Sequence, residues 1–209
     1  MNLRNEEKIF DSLYGPDVDG HKISHAGRAE MEEEDRKYLI YGELPFSEFV
    51  HIFREPAVAE DVEKSEIFYD LGSGMGKILI EAALTLPKLK KIIGIEVVRT
   101  LYEASNKIKQ KLRFHREAAA NKIEVVHGNF LGFDYTRQPP DVVFVHYPMH
   151  NAESLYLELE EKLANELKPG ALIISGIRRL QNIDKFIPIA VGKVKCSYSE
   201  ATIYYHRKV

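Results

Sequence analysis

Residues 66–97, "EIFYDLGSGMGKILIEAALTLPKLKKIIGIEV", constrain the fold more than any other part of the chain. A short apolar run ends at glycines 72, 74 and 76. A helix-length apolar stretch follows, and a second short run closes on Glu96. Apolar runs of strand length joined by a helix mark parallel strands buried on both faces. The glycines let the backbone approach a ligand without a Cβ clash, and the helix start behind them offers unpaired N–H groups. Glu96 stands 26 residues after Asp70, and a carboxylate ending the second strand can accept both hydroxyls of a ribose.

The same alternation runs on. Strands are expected at 67–71, 91–95, 123–126, 141–145 and 171–175, and helices at about 76–86, 99–118 and 152–167. Leu155, Leu159, Leu163 and Leu167 form a stripe at four-residue intervals, and Lys168-Pro169-Gly170 stops that helix. Two closing strands at 191–197 and 201–207 read as an antiparallel hairpin, with Tyr198, Tyr204 and Tyr205 packing it. The expectation is an α/β, Rossmann-like seven-stranded sheet with helices on both faces. Residues 1–65 read as a separate helical segment, a lid or substrate element, and 66–209 as the main domain. Within the first segment, 14–27 is glycine-rich and reads as a loop. One helix then ends near Leu39, Gly42 turns the chain, and another helix begins at about Pro45, with Phe46, Phe49, Val50 and Phe53 facing the sheet.

At 209 residues and 44% apolar content the chain is long enough for one such core. No apolar run has membrane length, so no membrane partner is expected. The charged start "MNLRNEEKIFDSLYG" lacks an apolar signal core, which makes the cytoplasm the expected location. Cys196 is the single cysteine; it reads as a buried strand thiol, and the chain offers no cysteine metal cluster. The net charge of −3 conceals an asymmetry: residues 1–66 carry 17 acidic and 8 basic side chains, the remainder 15 and 21. The acidic segment is a candidate guide for a basic peptide. The basic stretch 99–122 is either a solvated face or a docking face for an acidic macromolecule.

Three ligand classes compete for the glycine loop. Gly76-Lys77 is not a Walker A loop, since the four-residue gap and the Ser or Thr after the lysine are missing. The spacing G-x-G-x-G also departs from the dinucleotide fingerprint. Asp70, just before the turn, is awkward for pyrophosphate but suits an ammonium, directly or through water. S-adenosylmethionine presents an ammonium, a ribose and an adenine with no phosphate, so charge favours it over NAD or ATP.

"FYDLGSGMGKILIEAA…IIGIE" resembles motif I and the following acidic residue of class I S-adenosylmethionine-dependent methyltransferases. With "YGELPFSEFVHIF" before it and "GNF" after it, the chain resembles, over roughly residues 38–176, the DOT1-like protein-lysine methyltransferases. The resemblance implies a protein substrate and assigns cofactor contacts to Tyr41 and Glu43 of the upstream element. It assigns further contacts to Asp70, Gly72, Ser73, Gly74 and Gly76 of the loop, to Glu96 at the ribose, and to Asn129 and Phe130 beside adenine. Asn129 stands where the family has Asp, and its amide can still meet the adenine edge. Ser73 contacts the cofactor or caps the turn.

At the end of the fourth strand the family's "NNF"-type segment is replaced by "VHYPMHN", residues 145–151. There His146 and Tyr147, with Tyr41, are the candidate catalytic or acceptor-lining residues, and Met149 and His150 could wall the slot. An "NPPY"-type segment of nucleic-acid amino-methyltransferases shares the proline and aromatic character. A small-molecule or nucleic-acid acceptor, or a non-catalytic cofactor-binding module, therefore stand as alternatives. Phe133 and Tyr135 line the pocket or fill a core edge. Zinc is not expected, since no third ligand accompanies the two histidines.

Overall fold

The computed structural model describes residues 3–15, 18–146, 152–176, 178–196 and 200–209. Its seven strands form one sheet in the order β3-β2-β1-β4-β5-β7-β6. They are β1 (Ile67–Leu71), β2 (Lys91–Glu96), β3 (Ile123–His127), β4 (Val142–Val145), β5 (Leu172–Gly176), β6 (Phe186–Lys195) and β7 (Glu200–Lys208). The first five are parallel, and β7 runs antiparallel to β5 and β6. The switch in strand order falls between β1 and β4, where a ligand crevice opens beyond the carboxyl ends of the strands.

Nine α-helices surround the sheet among the described residues: α1 (Leu3–Leu13), α2 (Gly20–Ala29), α3 (Glu33–Arg36), α4 (Phe46–Phe53), α5 (Ala59–Lys64), α6 (Lys77–Thr85), α7 (Arg99–His115), α8 (Glu117–Ala120) and α9 (Glu153–Glu166). One face of the sheet packs Phe68, Ile92, Phe144 and Ile174 against α1, α4 and α6. The other packs Tyr69, Ile93, Val143 and Ile173 against α9. The apolar periodicity of α4 does what its spacing predicts: Phe49 stacks on Phe53, whose ring meets Phe68 edge-on. The hydroxyl of fully buried Tyr205 donates to the Ile52 carbonyl at 3.1 Å, fastening the closing hairpin to α4. Phe133 and Tyr135 pack on Tyr69 in the α9-side core and do not line the cleft.

Three expectations are corrected. The loop expected over 14–27 contains α2, capped by Asp19, whose carboxylate accepts the Lys22 N–H at 3.0 Å. Its glycines serve close packing: a Cβ on Gly20 would lie 2.2 Å from the Tyr41 hydroxyl, and one on Gly27 would lie 2.1 Å from that of Thr100. The single helix expected to end near Leu39 is instead the end of α2 followed by the one-turn α3. Strand β6 begins five residues before its expected start at 191, because Pro188 is tolerated on an edge strand beside a bulge at Pro188/Ala190. Tyr198 lies outside the described residues.

Candidate active site

The strand–turn–helix unit of β1 and α6 builds the cofactor loop. Gly72, Gly74 and Gly76 have φ of 81°, 55° and 77°, a region that other residues enter only with strain. The loop hangs from one carbonyl, Ile95 O, which accepts from the N–H groups of Gly72 and Ser73 at 2.9 and 3.1 Å. Ser73 tucks over Gly94 of β2, where a Cβ would sit 2.7 Å from the Ser73 hydroxyl.

Glu96 ends β2 inside the cleft. Its Oε2 accepts the Gly74 N–H at 2.7 Å and its Oε1 accepts the Val98 N–H at 2.8 Å. Burial raises its pKa, and the backbone donors of Val98, Gly74 and Val97 oppose that rise. Each carboxylate oxygen keeps a further acceptor site, so the group that fixes the loop can also receive a pair of hydroxyls. Asp70 is buried on β1, and its Oδ2 has no hydrogen-bond partner among the described residues. Burial, and then the neighbouring Glu96, hold its pKa well above the usual carboxylate range. A buried acceptor of this kind is costly unless something positive meets it.

The segment 39–44 covers the loop. Tyr41 lies on Gly74, where a Cβ would be 3.0 Å from its ring, and its hydroxyl donates to Glu43 Oε1 at 2.7 Å. Burial, followed by Glu43, raises the Tyr41 pKa, so it stays a neutral donor. Glu43 Oε2 pairs with Lys77 Nζ at 2.7 Å, and that ammonium lies 5.1 Å from the centre of the Tyr14 ring. Arg28 donates to the Leu39 carbonyl at 2.8 Å, tying α2 to the same cover.

Tyr41, Glu43, Asp70, Gly72, Ser73, Gly74, Glu96, Phe130 and His146 thus line one cleft, which encloses about 820 Å³ with the open solvent at its mouth included. Gly76 stands behind it as the left-handed N-cap of α6, where a Cβ would meet the Ser105 hydroxyl at 2.3 Å. Asn129 is not in the lining. It is exposed, and its Oδ1 accepts the Leu131 N–H at 2.9 Å, capping a single 3-10 turn. Tyr147, Met149 and His150 lie outside the described residues. His146 stacks on Phe144 with ring centres 5.9 Å apart, and its Nε2 is 3.4 Å from Cys196 Sγ. It fits because Gly176 has no Cβ; one there would lie 2.0 Å from its ring. Burial lowers the His146 pKa to about 3 and pushes the Cys196 thiol up to about 11. Both are neutral at physiological pH. Lys77, Tyr14 and Arg28 were not singled out from the sequence as site residues. Tyr14 and Arg28 come to the site from the distant amino-terminal segment, whereas Lys77 directly follows the loop, where the Gly76-Lys77 pair gave a local signal.

A phosphate-free cofactor with an ammonium at one end and a sugar diol near its middle fits this donor set: Asp70 for the first, Glu96 for the second. A chain with this sheet order, loop and acid pair is a class I S-adenosylmethionine-dependent methyltransferase. The family model described as "Histone methylation protein DOT1" matches residues 34–190, and the chain belongs to that family. A protein-lysine N-methyltransferase of Saccharolobus islandicus (strain REY15A) is 30% identical over 146 residues, 69% of this chain and 81% of that protein. The H3 lysine-79-specific histone-lysine N-methyltransferase of Dictyostelium discoideum is 24% identical, over 63% of this chain and only 8% of that protein. Among solved structures, an RNA methyltransferase from Salinibacter ruber in complex with S-adenosyl-L-homocysteine superposes with a TM-score of 0.56 at 21% identity, over 79% of this chain and 93% of that one. The putative methyltransferase yhhF from Escherichia coli superposes with 0.59 at 19% identity, over 78% and 87%. These two likenesses concern the fold. No helix among the described residues is long and apolar enough to cross a membrane.

Proposed function

We propose that the protein methylates the ε-amine of lysine in a protein substrate. The observation that carries this reading is the uncharged acceptor edge: His146, neutral and half-buried, lies between Phe144 and Cys196 at the carboxyl end of β4. A low-dielectric wall disfavours an ammonium and so favours the free amine that must attack. The similarity to a protein-lysine N-methyltransferase supports the same acceptor.

The bound cofactor supplies an activated methyl on a sulfonium, and the chain's task is alignment and exclusion of water. In this reading Asp70 holds the ammonium end, Glu96 the ribose hydroxyls, and Phe130 the adenine face. Tyr41 and Glu43 close over the methionine end, and within the proposed 1–65 lid or substrate segment that role falls to α2, α3 and residues 39–44, since α1 and α4 pack in the core. Tyr41 lines the lysine channel, to which the sequence alone also assigns Tyr147. No side chain is assigned as general base; the lysine ammonium gives its proton to solvent as it leaves water for the apolar channel, and the free amine attacks the methyl. The exposed acids Glu32, Glu33, Glu34 and Asp35 stand on the lid and would select a basic peptide. Peptide affinity should fall when they are neutralised, and unchanged affinity would remove that element.

A nucleic-acid or small-molecule acceptor is the second reading. It is favoured by "HYPMH", which departs from the "NNF" type and shares with "NPPY" segments only a proline and aromatic character, and by the RNA methyltransferase among the structures of the same fold. Tritiated S-adenosylmethionine, supplied with a cell lysate that is then fractionated, separates the two. Label in protein, mapped to lysine, supports the first; label that RNase or small-molecule extraction removes supports the second.

A further inference from the structure

Helix α7 has 17 residues and is therefore about 25 Å long. It starts beside Glu96 at the carboxyl ends of the strands and leads, through α8, to the amino end of parallel β3, so its last turns lie at the opposite end of the strands. Leu101, Ser105, Ile108 and Leu112 are its buried stripe. On the opposite face stands Phe114, 91% exposed, the most exposed of the large apolar side chains among the described residues. Lys111 precedes it by three residues, Gln110 by four and Lys107 by seven, so these share its face. Arg113 and Lys109 flank it on the other side. None of the four cations Lys107, Lys109, Lys111 and Arg113 is in an ion pair among the described residues, in contrast to Arg99, which pairs with Glu103. Burial and then Arg113 hold the Lys109 pKa below its usual value, as expected where positive charges crowd. The positive surface continues around the edge. Arg113 bonds Asn121 at 3.1 Å, and the next residue, Lys122, donates to the Pro87 carbonyl at 2.9 Å, beside exposed Lys88.

We propose that this face docks single-stranded nucleic acid: an unpaired base stacks on Phe114 while phosphates run along the cations on either side. Charge complementarity selects a polyanion, and the bare aromatic ring between cations selects one with exposed π-faces, since stacking is tolerant of sequence. Because the ring lies at the end of the strands away from the cleft, the nucleic acid is held on a platform that leaves the cofactor loop open, and it is not the methyl acceptor. The inference does not depend on lysine being the acceptor.

The test is fluorescence anisotropy with labelled oligo(dT) and oligo(U), a duplex of equal length, and vesicles containing phosphatidylserine. The full chain should bind the single strands saturably. Phe114→Ala should weaken that binding roughly 5- to 150-fold and Phe114→Tyr should restore it. Lys107→Ala/Lys111→Ala should lower the slope of log affinity against log salt by about 0.7 for each phosphate no longer neutralised. Duplex binding should not respond to Phe114→Ala, and S-adenosylhomocysteine affinity should not change when the strand is bound. Absence of saturable binding overturns the proposal, as does equal binding by Phe114→Ala, competition with S-adenosylhomocysteine, or a Phe114-dependent preference for the vesicles. These positions are solvent-facing, and circular dichroism of each variant should match the parent.

Discussion

Replacing Asp70 by Asn should make the protein both more stable and worse at holding its cofactor. The carboxylate is buried on β1, one oxygen has no partner among the described residues, and Glu96 lies close enough to raise its pKa. Its folded pKa lies above the unfolded value near 3.9. The folded chain therefore binds the extra proton, and stability conferred at low pH is lost as pH rises above that value. Asn has the same shape without the charge, so the variant should melt higher at pH 7 and lose much of the fall in stability that the parent shows as pH rises above about 4. Cofactor binding should move the other way. A hydrogen bond to an ionised group is worth about 1.5–3 kcal/mol and a neutral one about 1. Losing the charge against the ammonium should thus cost about 0.5–2 kcal/mol, roughly 2- to 30-fold in Kd. Calorimetry with S-adenosylhomocysteine measures this, and a deaminated analogue closes the cycle: the parent should discriminate against it and Asp70→Asn should not. Unchanged affinity, or equal discrimination by both proteins, refutes the assignment of Asp70 to the ammonium.

Three further outcomes follow from the same geometry. Gly74→Ala puts a Cβ 3.0 Å from the Tyr41 ring at φ +55°; it should cost about 1–2 kcal/mol of stability by urea unfolding and weaken S-adenosylhomocysteine binding at least tenfold as the cover shifts. His146 is neutral above about pH 3, so the pH–rate profile should show no step near 6.5, and His146→Gln should leave its midpoint unchanged; a midpoint that moves would make the histidine a proton carrier. Glu81, fully buried on α6 with both carboxylate oxygens lacking a hydrogen-bond partner among the described residues, has a pKa raised by burial, with Lys77 opposing. It costs stability as pH rises, and Glu81→Gln should gain more in urea at pH 8 than at pH 5; an equal gain would contradict this.

The parts of the molecule legible in the sequence were those with a local cause. The core strands announced themselves because parallel strands covered on both faces are apolar throughout, and β1 matches residue for residue. The glycine loop was legible because positive φ at 72, 74 and 76 demands glycine. Helix α2 was not, because Gly20 and Gly27 look like turn residues until Tyr41 and Thr100 are seen pressed against them. At the site, Asp70 and Glu96 followed from their places at strand ends. Lys77 gains its meaning from Glu43, 34 positions away. For Asn129 the motif position proposes a place beside adenine, and the structure adds a local role that the motif does not show: its Oδ1 caps the next turn.

A parallel calorimetric titration of the full chain with S-adenosylhomocysteine, ATP and NAD probes the nature of the cleft most directly. It should take up S-adenosylhomocysteine alone, with affinity reduced in both Asp70→Asn and Glu96→Gln. Tight binding of ATP or NAD, with no heat from S-adenosylhomocysteine, would contradict a phosphate-free cofactor site.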